Sequence, residues 1–332
     1  MSADQPTQPN NNRRNLIGLT AVVLLIIAAF ILLVDWQEVF RILKNVDIGL
    51  LVAASGALIA GMFFFALRWR VLMENKPRIG LTIHASNIGF AGNILIPFRG
   101  GEALRIFVMG RSGQVSYTTA TASFVVERSF EQLMRILALV TAVVIGIGIK
   151  ITPATILSGL GFIALLVVGI YWLINHRQAL ERNLPPRLAR LPRVSESSAQ
   201  RWLSDLFDNL QHIAKPEQIA LVMAYSLLSW GFFWLFFLLT LVSMGTAFPQ
   251  EAWLPVSLGA LALSPPSAPT QPGIFHASIV VPLAAVGYDT GALTAYAVIL
   301  HLLEMVWMIG LAGFGLLRIG LSPRQLVSAA NE

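Results

Sequence analysis

The sequence predicts an all-α polytopic integral membrane protein, with about six full spans and two re-entrant hairpins arranged as inverted repeats. Three observations carry that prediction. Of 332 residues, 56% are hydrophobic and 12% charged, where soluble domains carry about 25% charged residues. Leu16 to Val34 is a 19-residue run without a charge, about the length needed to cross ~30 Å of hydrocarbon as helix. The basic residues fall in alternate segments between such runs. A soluble enzyme of two ordinary domains is excluded.

The elements follow in order. Residues 1–14 form a disordered cytoplasmic tail, because Gln5 to Asn12, with Pro6 and Pro9, cannot bury enough to fold. Arg13 and Arg14 precede the first apolar run. That run exceeds the ~7–15 residues of a signal-peptide core, and Asp35-Trp36-Gln37-Glu38 follows instead of a cleavage site. An uncleaved signal anchor is expected. Spans are predicted at about 16–34, 48–67, 118–149, 154–174, 218–243 and 293–317. Of the 23 Lys and Arg, 18 lie in 13–14, 68–78, 99–111, 177–215 and 318–324, against Arg41, Lys44 and Lys150 in the opposite set. The positive-inside rule then places both termini in the cytoplasm of a multi-pass cell-membrane protein.

Two stretches do not read as simple spans. Ile79 to Pro97 is apolar but carries His84, Asn87 and Asn93, with Gly at 80, 89 and 92, and both its ends stand beside basic residues. Trp253 to Val286 is interrupted by Ser264 to Gly273, which holds four prolines. Proline lacks the N–H a helix needs and clashes with the preceding turn. Broken backbone at membrane depth is tolerated where protein buries it or a watery cavity solvates it, which two re-entrant hairpins from opposite faces satisfy. Span, hairpin, span thus runs over about 48–149 and again, inverted, over about 218–317. A shift of 173 positions superposes Gly100 on Gly273, Arg128 on His301 and Glu131 on Glu304. The cytoplasmic linker, 175–216, begins basic and Pro-rich, reading as a solvated stretch. It ends with Trp202, Leu203, Leu206, Phe207, Leu210 and Ile213 on one face at helical spacing. That face fits an interfacial helix or one packed on the protein itself. Residues 15–320 make a single domain, and 321–332 a short cytoplasmic tail.

The composition also bounds the chemistry. With no Cys there is no disulfide, thiolate or sulfur-bound metal. Five scattered His without ligand spacing give no metal set. There is neither a P-loop nor a G-x-G-x-x-G, so no cofactor is expected. A net charge of +6 and a pI near 10.1 suit anionic lipid in a membrane protein; no nucleic-acid partner is expected, and a homo-oligomer stays open.

The charges that do not follow topology are the candidate site. Asn93, Pro97, Arg99, Gly100, Gly101, Glu102 and Arg105 form the densest polar constellation. Pro97 stops one helix, and Glu102 and Arg105 share a face at i and i+3 of a new one. Its free N–H groups between two arginines suit a phosphate; equally, Glu102 pairs with an arginine to pin the hairpin tip. Glu127, Arg128 and Glu131, with Arg135, lie within a predicted span, where each ionisable group costs ~2.5–3.5 kcal/mol at the centre. They indicate a hydrated interior, or ordinary pairs near the interface. Glu304 sits among apolar neighbours in the last span, with His301 one turn earlier as its local partner. It reads as a coupling or substrate-contact carboxylate, or as a neutral structural one. His276 follows the second break and suits a proton or a headgroup.

At these residues the chain resembles the transmembrane region of lysylphosphatidylglycerol synthases and its stand-alone flippase-like relatives. The resemblance rests on Leu67-Arg68-Trp69, on Asn93 with Ile96 to Arg105, and on Glu127-Arg128 followed by Glu131. Pro266 to His276 matches the family's late Pro/Gly-rich break, except that Thr270, Gln271 and His276 stand where the family often has further glycines and a Glu. The resemblance implies a lipid-handling protein. With Leu321 to Glu332 following the last span, the family's appended aminoacyl-transferase activity is not expected. The expected function is a lipid flippase- or scramblase-like transporter whose partners are membrane lipids, an anionic phospholipid or a polyprenyl-linked lipid, and no enzyme. The alternatives are an intramembrane enzyme acting on a lipid-linked substrate, or a non-catalytic partner in envelope assembly.

Overall fold

The computed structural model describes residues 44–96, 100–144, 171–190, 194–245, 272–285 and 287–321, with isolated positions at 37, 40, 41, 157, 161, 164, 165, 168 and 169. The predicted span at 16–34, most of that at 154–174, Arg99, and the second break as far as Gln271 lie outside the described residues. Among those described, all regular structure is helical: α1 (Ile48–Leu72), α2 (Ile79–Leu95), α3 (Gly100–Arg111), α4 (Tyr117–Val144), α5 (Arg177–Asn183), α6 (Pro185–Leu188), α7 (Glu196–Ile213), α8 (Pro216–Ser243), α9 (Pro272–Ala285) and α10 (Thr290–Ile319). Three of them, α1, α8 and α10, are long and apolar enough to cross a membrane. The 28-residue α4 has the length but carries Glu127, Arg128, Glu131 and Arg135 within it.

Local chemistry sets the helix ends. Asp47 accepts from the Leu50 N–H at 3.1 Å and starts α1; Asp289 does the same for α10, at 2.8 Å to Ala292 N–H. Such caps satisfy donors that the first turn leaves without partners. Pro216 and Pro272 open α8 and α9, where the missing proline N–H costs nothing. Gly320, at φ 68°, closes α10 in the left-handed conformation. The chain leaves α1 through a tight turn at Glu74 and Asn75, both with positive φ. Arg70 holds that turn, donating to the carbonyls of Pro77 and Asn75, each at 2.7 Å.

Helix α1 runs antiparallel to α8. The Asp47 N–H donates to the Ser243 carbonyl at 2.9 Å at one end, and Ser229 Oγ donates to the Gly61 carbonyl at 3.0 Å midway. The approach at Gly61 is so close that a Cβ there would stand 2.7 Å from the Phe233 ring. Helices α2 and α3 form an antiparallel hairpin. The Arg78 N–H bonds Gln114 Oε1 at 2.7 Å across its open end, and Gly101 lies against Gly89, Gly92 and Asn93 near its tip. A Cβ on Gly92 would fall 2.6 Å from Gly101 Cα, so glycine is what lets the two backbones meet.

The hairpin is longer than the sequence suggested. It spans 79–111, not Ile79 to Pro97, and residues next to Arg99 sit at its tip, not at its foot. The chain resumes at Gly100 and Gly101 as a second helical limb. The linker is also more ordered than expected, since the basic, Pro-rich part folds into α5 and α6. Arg177 anchors α5 by donating to Glu181 at 2.9 Å and pairing with Asp208 of α7 at 2.8 Å. The apolar face of α7 lies on the protein itself: Leu203, Phe207, Leu210 and Ile213 are buried with Val71, Leu72, Val126 and Val222. Thr118, at the start of α4, donates to Asp205 and fixes that docking.

Candidate functional site

Five predicted site residues and one that was not predicted converge where α1, α3 and α4 meet. The unpredicted one is Arg68. It lies on α1 a turn before the helix ends and is wholly buried. Its Nη2 lies 3.0 Å from Glu127 Oε1 and 2.5 Å from Glu131 Oε1. Arg105 of α3 donates from both terminal nitrogens to the two carboxylate oxygens of Glu127. Glu127, fully buried on α4, therefore bridges two guanidinium groups. Arg128 reaches outward to Glu102 at 3.4 Å and back to Glu127 at 3.6 Å. Three arginines thus face three glutamates, and Arg135, buried one turn beyond Glu131 on α4, adds a further cation beside them. Mutual compensation is what makes these charges tolerable, because an unpaired ion away from water costs several kcal/mol.

Aromatic rings carry what the carboxylates leave over. Arg68 Nε and Nη1 and Arg105 Nε have no hydrogen-bond acceptor among the described residues. Their guanidinium planes lie over rings instead: Arg68 at 4.7 Å from Phe65, Arg105 at 4.6 Å from Trp69 and 5.1 Å from Phe124. A cation over a π-face recovers part of its lost hydration. Trp69 is itself pinned by its indole N–H, which donates to Ser123 Oγ on α4 at 3.1 Å.

The network has an inside and a rim. Arg68, Arg105, Glu127 and Glu131 are buried, whereas the side chains of Arg128 and Glu102 are 24% and 20% exposed. Glu102 pairs across to α4, not along its own helix to Arg105. Arg105, which the sequence offered either to a phosphate or to a pairing with Glu102, is paired with Glu127. Arg128 and Glu102 are thus the pair whose surface a ligand can reach. At 1.5 Å per residue, Arg105 stands about 9 Å from the end of α3 and Glu127 about 15 Å from the start of α4. Asn93 lies near the hairpin tip, where its buried Oδ1 has no hydrogen-bond partner among the described residues.

The remaining candidates form a separate group. His276 of α9 stacks on His301 of α10 with ring centroids 5.3 Å apart. Phe275 meets His301 edge-on at 5.0 Å. His301 does not bond Glu304, contrary to the expected pairing: its ring turns toward α9, and its Nδ1 has no hydrogen-bond partner. Glu304 is half-buried. Arg68 was legible only through charge balance, since two buried carboxylates on one face of α4 require cations. Counting it with the loop arginines of 68–78 hid it.

A sequence profile described as "Lysylphosphatidylglycerol synthase TM region" matches residues 16–313. The chain is also 27% identical over 144 residues to "Glycosyltransferase AglD" of Haloferax volcanii, covering 42% of this chain and 23% of that relative. The chain therefore spans less than a quarter of that relative's length. No solved structure matches. The match over residues 16–313 covers the helices that build both clusters, and the chain belongs to the lysylphosphatidylglycerol synthase transmembrane-region family.

Proposed function

We propose that this membrane protein moves an anionic phospholipid, or a lipid-linked headgroup of like charge, between leaflets. The observation that carries the reading is the buried ion network between α1, α3 and α4, with the pair Arg128 and Glu102 at its reachable rim. A headgroup phosphate competes with Glu102 for Arg128, while Glu127 and Glu131 keep Arg68 and Arg105 compensated. Acyl chains stay in the bilayer. Family membership supports a lipid-related role.

The membrane arrangement belongs to the same proposal. Helices α2, α3 and α9 have 17, 12 and 14 residues. Those lengths correspond to about 25, 18 and 21 Å of helix, each short of the ~30 Å hydrocarbon layer. We read both hairpins as re-entrant, within six spans and two inverted repeats, with both termini in the cytoplasm. Because the chain has no cysteine, single-cysteine labelling is free of background. Lys76→Cys and Arg318→Cys are expected to react from the cytoplasmic face, Lys44→Cys and Thr290→Cys from the other. Labelling of all four from one face sinks the topology.

Transport is tested by reconstituting the protein in liposomes with a headgroup-labelled phosphatidylglycerol in both leaflets. Arg128→Gln is expected to slow leaflet exchange by about tenfold, roughly what one charge-assisted contact is worth. Folded protein that exchanges neither this lipid nor a polyprenyl phosphate counts against the reading. The enzymatic alternative draws on the glycosyltransferase name of the Haloferax volcanii relative. Product formed from a lipid-linked sugar by purified protein, and lost in Glu102→Gln, would replace transport with catalysis.

A further inference from the structure

A cavity of about 580 Å³ opens at the foot of the α2–α3 hairpin, where the end of α10 reaches it. No residue of the Arg68–Glu127 network lines it, although Val108 and Arg111 stand on the same helix as Arg105. Three arginines from three helix ends converge on it: Arg78 before α2, Arg111 at the end of α3 and Arg318 near the end of α10. No carboxylate lines the cavity, and none of the three guanidinium groups has an ion-pair partner among the described residues.

Helix dipoles explain only part of this. Arg111 and Arg318 lie in the last turns of their helices, where the partial negative charge favours a cation. Arg78 lies at the N-terminal end of α2, where the dipole opposes it, and its side chain does not cap that helix. Topology explains the sign of these charges at this end of the bundle, but not their convergence on one hollow. The three arginines are exposed at its mouth, and a cleft lined by one sign of charge concentrates counter-ions. The rest of the lining mixes apolar Leu81, Val108 and Ile319 with His84, Ser112 and Gln114. A phosphate, which takes both arginine pairing and neutral hydrogen-bond donors, is the chemistry that matches this lining.

We infer that this cavity is a binding site for a phosphate ester, with Arg78, Arg111 and Arg318 as its ligands. The site does not depend on the transport reading, because it calls for binding whether or not the chain moves lipid. The anion comes either from a phospholipid headgroup at the membrane surface or from a soluble phosphate ester, and the two are separable.

The test is native mass spectrometry of the full chain in detergent, titrated with phosphatidylglycerol and with phosphatidylcholine. One phosphatidylglycerol is expected to be retained in preference to phosphatidylcholine. The triple variant Arg78→Gln, Arg111→Gln, Arg318→Gln is expected to weaken that adduct at least about tenfold. Gly80→Phe reaches the same end without touching a charge. Gly80 lines the cavity, and a Cβ there meets nothing within 4 Å, so the ring fills the hollow and not the helix packing. The matched control Arg182→Gln, Arg187→Gln, Arg190→Gln removes three exposed linker charges and is expected to leave the adduct unchanged. Equal loss in both triple variants, equal retention of the two lipids, or full binding in Gly80→Phe overturns the site. Displacement by glycerophosphoglycerol at matched concentration assigns it to a soluble ester, and resistance to displacement assigns it to lipid. Both of those results support the cavity as the site.

Discussion

Two pairs of a short helix and a long one, in different parts of the molecule, are held together by different chemistry. In the first half, Glu102 of α3 meets Arg128 of α4 at 3.4 Å. In the second half, 173 positions on, Phe275 of α9 meets His301 of α10 with rings 5.0 Å apart. One contact is ionic and the other is an edge-on ring pair. Holding a short helix against a long one therefore does not require charge. Buried ion pairs are often replaceable by apolar groups without loss of stability. The ions retained between α3 and α4 therefore call for an explanation other than packing, which the transport proposal supplies.

The largest effect that would break this comparison is expected at Glu127. Glu127→Ala leaves Arg68 and Arg105 buried without their shared acceptor, which costs about 3–5 kcal/mol. Thermal unfolding in detergent should fall steeply, and an unchanged midpoint would mean the network is not closed as described. Next comes Gly101→Val. Any Cβ there overlaps the Gly89 carbonyl and the Asn93 amide, so the α2–α3 hairpin must part, at about 3 kcal/mol for an overpacked contact. Hydrogen exchange of α3 would report it. A smaller loss, about 1 kcal/mol, is expected for Trp69→Phe, which keeps a ring beneath Arg105 but forfeits the bond to Ser123. The smallest belongs to the second half. His301→Phe preserves the ring contact with Phe275 and should stay within about 1 kcal/mol of the parent. A larger drop in its melting midpoint would show that the imidazole does more than pack.

The apolar runs of α1, α8 and α10 were legible because hydrophobic length is a property of composition, which tertiary contacts do not alter. The break after Asn93 was legible for a similar reason, since Pro97 and Gly100-Gly101 constrain backbone locally. Where the chain went next was not. A Pro-Phe-Arg-Gly-Gly stretch reads equally as an exit from the membrane or as a tip, and only the fit of Gly101 against Gly89 and Gly92 decides. Arg68 was hidden because an arginine at the end of an apolar run is counted as a loop charge by default. It is distinguished by two carboxylates on α4, 59 and 63 positions away in the chain. His301 was assigned to Glu304 by helical spacing, yet spacing places two side chains on one face without saying which neighbour a ring turns toward. Arg99 stands outside the described residues.

The contact between Gly61 and Ser229 bears on how the protein is made. Those partners are 168 residues apart. At ribosomal rates of about 5–20 residues per second, α1 waits roughly 10–30 s before α8 has been synthesised. Through that interval the face of α1 around Gly61 stands without Phe233 and Ser229, its native partners. This part of the bundle is therefore completed late, when α8 arrives.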